Sequence, residues 1–190
     1  GVVDEALVRR LTFPRERSLE VVRDAVLARK LEPLLDLVAA AGAGAPINDW
    51  QGQRVDPARL GPTLFGQVTN LQLQMLYLRR VADAMGLGSE MAPDRTSRGG
   101  WYNQHFKNGL APDLLARLKQ DAPSPVARPG AKPPKPFSLG ALFSGAGRYS
   151  DEELIAAVAD TSKVEAGIRQ ESFLLETLTV WLAGFIGKSR

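Results

Sequence analysis

The stretch PTLFGQVTNLQLQMLYLRRVADAM, residues Pro62 to Met85, decides the fold. Leu64, Val68, Leu71, Met75, Leu78, Ala82 and Met85 follow one another at spacings of four, three, four, three, four and three. Positions three and four apart share one face of an α-helix, so all seven lie on a single seam, which Phe65, Leu76 and Val81 widen. Pro62 suits a first helical turn, where its missing N–H would have no partner, and Gly86 is a natural stop. At ~1.5 Å per residue the helix is roughly 35 Å long, about the diameter of a small domain. Gln67, Asn70, Gln72, Gln74, Arg79 and Arg80 form its polar side. A helix with so wide an apolar seam needs neighbours on more than one side, which makes it the spine of a bundle. The seven-residue repeat is too short, and too poor in flanking charge, for a coiled coil.

Helical patterns continue on both sides of the spine. VVDEALVRRL puts Val3, Leu7, Val8 and Leu11 together, and residues 1–16 are expected to end, or link from, a preceding domain. Ser18 offers an N-cap to a helix carrying Leu19, Val22 and Val26 and ending near Lys30. Pro33 opens a short helix with Leu34, Leu37, Val38 and Ala41. AGAGAP then starts a loop that reaches Asp56-Pro57, and a short turn over Pro57 to Leu60 leads into the spine. Beyond it, Gly88, Pro93, Gly99 and Gly100 break the pattern. Trp101, Tyr102, His105 and Phe106 allow one or two helical turns that stop at Asn108-Gly109. Pro112 opens a short helix with Leu114, Leu115 and Leu118. DAPSPVARPGAKPPKP, residues 121–136, reads as an extended polyproline-like connection.

A small helix capped by Ser138 follows, burying Leu139, Leu142 and Phe143. Ser150, with Glu153 three residues later, is a capping box, and Asp151 and Glu152 suit the positive end of a helix dipole. Leu154, Ile155, Val158, Val164 and Ile168 give that helix its buried face. The last helix, from about Ser172, has Leu174, Leu178, Trp181 and Phe185 at spacings of four, three and four. No stretch alternates at period two. The predicted fold is all-α, a helical bundle around one long central helix at 62–85, with a Gly/Pro-rich irregular insertion. Residues 17–190 form one helical domain with a Pro-rich loop at 121–136.

The 190 residues suffice for one real core, and a 44 % apolar composition is ordinary for a soluble globular protein. No apolar run is long enough to span a membrane. The chain opens without a secretory pattern and has no cysteine, which excludes disulfides and thiolate metal sites. A cytoplasmic location is expected. The net charge of +3 permits an acidic partner without demanding one.

Few residues point to chemistry. Gly187-Lys188-Ser189 ends like a phosphate loop, but Leu182 stands where the first glycine belongs, and a helix precedes where a strand is needed. His105, the sole histidine, could serve as a general base held by Asp94, or simply lie on a helix surface beside packed aromatics. The pairs Asp4/Glu5 and Glu152/Glu153 fit helix N-termini. No catalytic, cofactor-binding or metal-ligating residue is assigned. Arg95, Arg98 and Lys107 surround Trp101, Tyr102 and Phe106, and cations interleaved with aromatics can hold a single nucleic-acid strand by stacking and phosphate neutralisation. Arg128, Lys132 and Lys135 decorate the proline-rich link.

From Arg17 onward the order of elements resembles the C-terminal domain of the bacterial DNA polymerase III delta subunit, a clamp-loader component. The residues that carry the likeness are SLEVVRDAVLARKLEPLLDLV, DPARLGPTLFGQVTNLQLQMLYLRRV, PFSLGALFSGAGRYSDEELIAAVADTSKVEAGIR and LLETLTVWL. That family shows a helix pair, a long helix with a polar side rich in Gln or Arg, and a short helix led by Pro-Phe. An aromatic–Ser capping step, a helix and a leucine-rich last helix follow. Between Leu87 and Pro136 the likeness breaks: the family has a compact pair of short helices, and this chain a longer Trp-, Gly- and Pro-rich passage.

The resemblance implies a collar domain, a structural and assembly module of DNA replication without catalytic residues. Its partners would be the ATPase and delta-prime clamp-loader subunits, with no membrane and no cofactor. Leu174, Leu178, Trp181 and Phe185 are the expected partner interface, because with Leu175, Leu182 and Ile186 they make a stripe too wide for one neighbour; the alternative for Trp181 is that it completes the intrachain core. Two alternatives stand beside it. One is a free-standing helical nucleic-acid-binding protein using Arg95, Arg98, Trp101 and Lys107. The other is a small enzyme around His105, which requires a concave pocket holding that histidine and a carboxylate.

Overall fold

Helical periodicity accounts for nearly every element in the structure, a computed structural model describing residues 17–121, 123–126, 134–170 and 174–187. In order these are β1 (Arg17–Ser18), α1 (Glu20–Ala28), α2 (Glu32–Gly42), β2 (Ile47–Asn48) and α3 (Pro57–Ala84). A 3-10 turn (Gly88–Met91), α4 (Pro93–Thr96), a π-helix (Tyr102–Leu110) and α5 (Ala111–Gln120) follow. The last three are α6 (Pro136–Ala146), α7 (Asp151–Gln170) and α8 (Leu174–Ile186). The fold is all-α. β1 and β2 pair in parallel over two residues each, too little to make a layer.

The spine helix α3 is 28 residues long and begins at Pro57, earlier than the seam implied. Asp56 starts it: its Oδ1 accepts the Ala58 N–H at 3.0 Å, as an N-cap does, and Pro57 takes the first-turn place expected of Pro62. Pro62 lies inside the helix on its exposed side, where water can take the carbonyl its ring leaves without a donor. The far end stops as predicted. Gly86 turns to φ 72°, and the Leu87 N–H bonds the Ala82 carbonyl at 2.7 Å, the six-to-one bond of a Schellman stop. Leu64, Val68, Leu71, Met75, Leu78 and Ala82 are buried, and Met85 is half-buried.

One residue of the expected polar side is inside. Gln72 is wholly buried and its amide has no partner among the described residues, while the neighbouring Leu73 is exposed. Its spacing explains this: Gln72 stands four residues after Val68 and three before Met75, on the seam itself.

The described residues gather into two compact units, with boundaries inside α1, α3 and α7. The first takes the described residues up to Ala25, Lys30–Gln67 and the described residues from Lys163. Here Ser18 Oγ accepts the Glu20 N–H at 3.2 Å, as its N-cap position implied. α2 packs against α8, and the ring centroids of Phe65 and Trp181 are 5.1 Å apart. Leu34, Leu37, Leu60 and Leu64 are buried here with Leu178, Leu182, Phe185 and Ile186.

The second unit comprises Val26–Arg29 and Val68–Ser162, and its hub is α6, which contacts the 3-10 turn, the π-helix and α5. Leu139, Gly140, Leu142, Phe143, Gly145 and Ala146 are all buried, so α6 is covered on most of its circumference rather than on one stripe. A methyl at Gly145 would stand 2.6 Å from the Leu27 Cδ2, so glycine is what allows this close approach. α6 begins at Pro136 with Lys135 at the N-cap, and Ser138 sits inside the first turn rather than capping it. In α7, Leu154 and Ala157 are buried but Ile155 is 45 % exposed, a correction to the predicted face. Ile168 lies where side chains are not described.

The insertion is more regular than its Gly and Pro content implied. Helix does not stop at Asn108-Gly109; the π-helix runs straight into α5, and the Ala111 N–H bonds the Phe106 carbonyl five residues back. Trp101, Phe106 and Ala111, five residues apart, are all buried. A five-residue step swings about 140° around an α-helix, which hid this face from an α-periodic reading. The wider π-turn brings the three side chains to one side.

Candidate functional site

The π-helix and the two short elements before it form one wall of a pocket of about 510 Å³, lined by Glu90, Arg95, Arg98, Gly99, Trp101, Gln104 and His105. Gly100, at φ 80°, turns the chain from α4 into the π-helix and delivers Trp101 into the core. The Trp101 ring lies 5.0 Å from Phe106 and stacks at 6.2 Å on Phe143 of α6. Tyr102 meets Phe137 edge-on at 5.6 Å. Gly140 lets these rings close on α6, since a methyl there would stand 3.1 Å from Phe106 and Tyr102.

Charges in the pocket are partly paired. Arg95 is bonded to Glu90, and Arg98 donates its Nε to the Asp94 carbonyl at 3.1 Å. His105 and Gln104 are exposed. The concave site required of an enzyme around His105 is therefore present, with Glu90 as its carboxylate. That carboxylate is engaged by Arg95, however, and among the described residues no hydrogen bond joins His105 to an acid. No group of three His, Asp or Glu among the described residues could hold a metal ion.

Of the four residues expected to meet nucleic acid, three converge on this pocket: Arg95, Arg98 and Trp101. Lys107 is exposed but does not line it. Trp101 is only 7 % exposed, so it cannot offer the open ring face that base stacking needs. That corrects its expected role. Arg128 and Lys132 lie outside the described residues, and Lys135 is exposed. The sequence reading missed Glu90, Gly99 and Gln104, which carry no signal except their closeness to the aromatic run.

The expected partner stripe on α8 is also corrected. Leu178, Trp181 and Phe185 are buried within the chain itself, and the side chain of Leu174 lies outside those described. The stripe is wide because it serves the internal core, with Trp181 against Phe65. What α8 exposes instead is Val180, at 68 %. Gly187 follows the end of α8, and Lys188 and Ser189, the candidate phosphate-loop residues, lie outside the described residues.

A second concavity, of about 430 Å³, opens between α1 and α2 and is lined by Glu20, Glu32 and Asp36 with Val21, Pro33 and Leu37. Its three carboxylates make it an acidic groove.

The most tightly organised polar cluster is an anchor within the second unit. Arg29, at the C-terminal end of α1, adopts φ 55°, a left-handed conformation unusual for a side-chain-bearing residue. Its guanidinium bonds both Glu153 carboxylate oxygens, at 2.6 and 3.1 Å, and donates to the Arg148 carbonyl at 2.7 Å. It also lies 4.9 Å over the Tyr149 ring. Tyr149 is fully buried, and its hydroxyl donates to the Val26 carbonyl at 2.6 Å. Burial pushes its pKa far above the usual phenol range. Glu153 completes the predicted capping box: it accepts the Ser150 N–H at 2.7 Å and donates its own N–H to Ser150 Oγ at 3.2 Å. Asp151, beside it, receives Arg79 Nε at 2.6 Å and pairs with Arg80 at 3.2 Å. The exposed carboxyl of Glu152 titrates below the usual range because a backbone N–H and the Ser150 hydroxyl bond its charged form.

Compared with protein families, curated proteins and solved structures, the chain matches none. Among the described residues, no helix is long and apolar enough to cross a membrane.

Proposed function

We propose that the chain is a collar-type helical domain of a clamp-loader delta subunit, an assembly module of DNA replication rather than an enzyme in its own right. The supporting observation is the Tyr149–Glu153 step. The resemblance to the delta family places an aromatic–Ser cap between the Pro-Phe helix and the helix after it. In this chain Tyr149 is a buried anchor at that step, and Ser150 and Glu153 cap α7. The helix pair α1/α2, the long α3, the Pro-Phe-led α6 and the leucine-rich α8 stand in the order that the resemblance requires.

Partners of this domain are the ATPase and delta-prime subunits of the clamp loader. Because the α8 stripe is internal, their docking face uses other surfaces. The competing nucleic-acid-binding proposal loses its stacking platform with the burial of Trp101, although Arg98 and Lys107 remain accessible to a phosphate backbone. The deciding experiment mixes the purified chain with the ATPase and delta-prime subunits of its own organism. Co-elution as a stoichiometric complex is expected. No association at micromolar concentration, or tight binding of the sliding clamp by this chain alone, would overturn the proposal.

A further inference from the structure

The pocket beside the π-helix holds more hydrogen-bond donors than acceptors. Its carboxylate, Glu90, is taken by Arg95. Arg98 uses Nε on the Asp94 carbonyl, but its terminal nitrogen stands 3.9 Å from the Asp94 carboxylate, too far for a hydrogen bond. That side chain is 72 % exposed and can reach a ligand. Gly99 and Gly100 follow Arg98 in a turn, and neither of their N–H groups donates a backbone hydrogen bond among the described residues. Successive N–H groups left open by a turn form a concavity suited to anions. His105 and Gln104, both able to donate, complete the wall.

We propose that this pocket binds a phosphate group. The donors come from several elements, which suits a tetrahedral oxyanion with three or four accepting oxygens better than a planar carboxylate with two. The arginine fork of Arg98 supplies the charge-assisted contact. Gly99, which lines the pocket, brings its backbone N–H to the oxygens. A volume of about 510 Å³ accommodates a small phosphorylated molecule. The phosphate could equally belong to a nucleic-acid strand, and the test separates these sources. The pocket lies within the stretch to which the collar resemblance does not extend, so this proposal and the collar proposal stand or fall separately.

His105 lines the pocket and is the chain's only histidine, so its imidazole gives a single NMR reporter of occupancy. The 190-residue chain is titrated at fixed pH and ionic strength with inorganic phosphate, glycerol phosphate, a short single-stranded oligonucleotide, sodium acetate and sodium chloride. A saturable shift of the His105 signal with phosphate or glycerol phosphate, absent with chloride and acetate, is the expected result. Saturation by the oligonucleotide alone would still support a phosphate site and assign it to a phosphodiester backbone. Arg98→Ala, at an exposed position, should weaken binding roughly ten- to hundredfold, the range for losing a charged hydrogen bond. No saturable shift with any phosphate probe, an equal response to acetate, or unchanged binding by Arg98→Ala would overturn the proposal.

Discussion

Replacing Arg29 tests the anchor of the second unit in two ways at once, through its charge and through its backbone. The guanidinium side chain is 14 % exposed and its partner Glu153 19 %, so the pair is largely withdrawn from water. Removing one member of a fully buried pair costs about 3–5 kcal/mol, whereas exposed pairs contribute about 0–1 kcal/mol. With residual exposure at both partners, Arg29→Ala should destabilise by about 2–4 kcal/mol, also losing the bond to the Arg148 carbonyl. Arg29→Gly loses the same contacts. Glycine, however, adopts φ 55° without the steric penalty of about 1–2 kcal/mol that a Cβ incurs, at a cost of about 0.4–1 kcal/mol in unfolded-chain entropy. Arg29→Gly should therefore be more stable than Arg29→Ala by about 0.5–1 kcal/mol, an order opposite to that of a helix interior. Urea denaturation of the wild type, both single variants, Glu153→Gln and the double variant Arg29→Ala/Glu153→Gln would measure all of these terms. The double-mutant cycle should return a coupling of about 0.5–3 kcal/mol, as for residues in one network. A loss below about 0.5 kcal/mol on Arg29→Ala would refute the anchor. Arg29→Gly proving the less stable of the two would refute the assigned backbone strain.

Two further perturbations follow from the second unit. Gly147→Ala would drive its Cβ onto the Met91 carbonyl oxygen, a backbone atom that cannot rotate away, so a loss of about 1–3 kcal/mol or more is expected in thermal or urea unfolding. Wild-type stability in that variant would mean that the 3-10 turn and α6 are not packed as described. The second is alkaline pH. Tyr149 is held neutral by burial, with a folded-state pKa above its ordinary 10.0, so above about pH 10 the unfolded chain sheds a proton that the folded chain keeps. This contribution is complete below the unfolded pKa and is lost as pH rises, by up to about 1.4 kcal/mol per pH unit. Tyr77, raised chiefly by desolvation, acts in the same direction. Tyr149→Phe should lower stability near neutrality by about 0.5–1.5 kcal/mol through loss of the bond to the Val26 carbonyl. It should also flatten the alkaline decline, and an unchanged slope would contradict the burial of that hydroxyl.

Local signals in the chain were sufficient for the elements that local physics governs. The seam from Leu64 to Ala82, the Gly86 stop, the Ser18 cap and the Ser150/Glu153 capping box all act over a few residues, and each stands in the structure where it was read. Asp56-Pro57 is equally local, since an Asp cap followed by Pro is a helix start even at the end of a loop-like stretch. Gln72 belongs to the polar side by its chemistry, but its spacing sets it on the seam, and spacing prevails.

Tertiary structure alone decided the remainder. An apolar stripe such as Leu178–Phe185 demands burial but does not say by what, and Phe65, more than a hundred residues earlier, is the partner of Trp181. The pocket depends on a π-helix whose buried positions recur every five residues, a rhythm that α-periodicity does not detect. The left-handed turn at Arg29 closes α1 locally, the Lys30 N–H bonding the Ala25 carbonyl at 2.8 Å, but what makes an arginine rather than a glycine fit there is a carboxylate and an aromatic ring some 120 residues away. Caps and periodicity are written into neighbouring residues because their energies arise within a turn of helix. Partner choice, strain and concavity depend on contacts that exist only once distant segments have met.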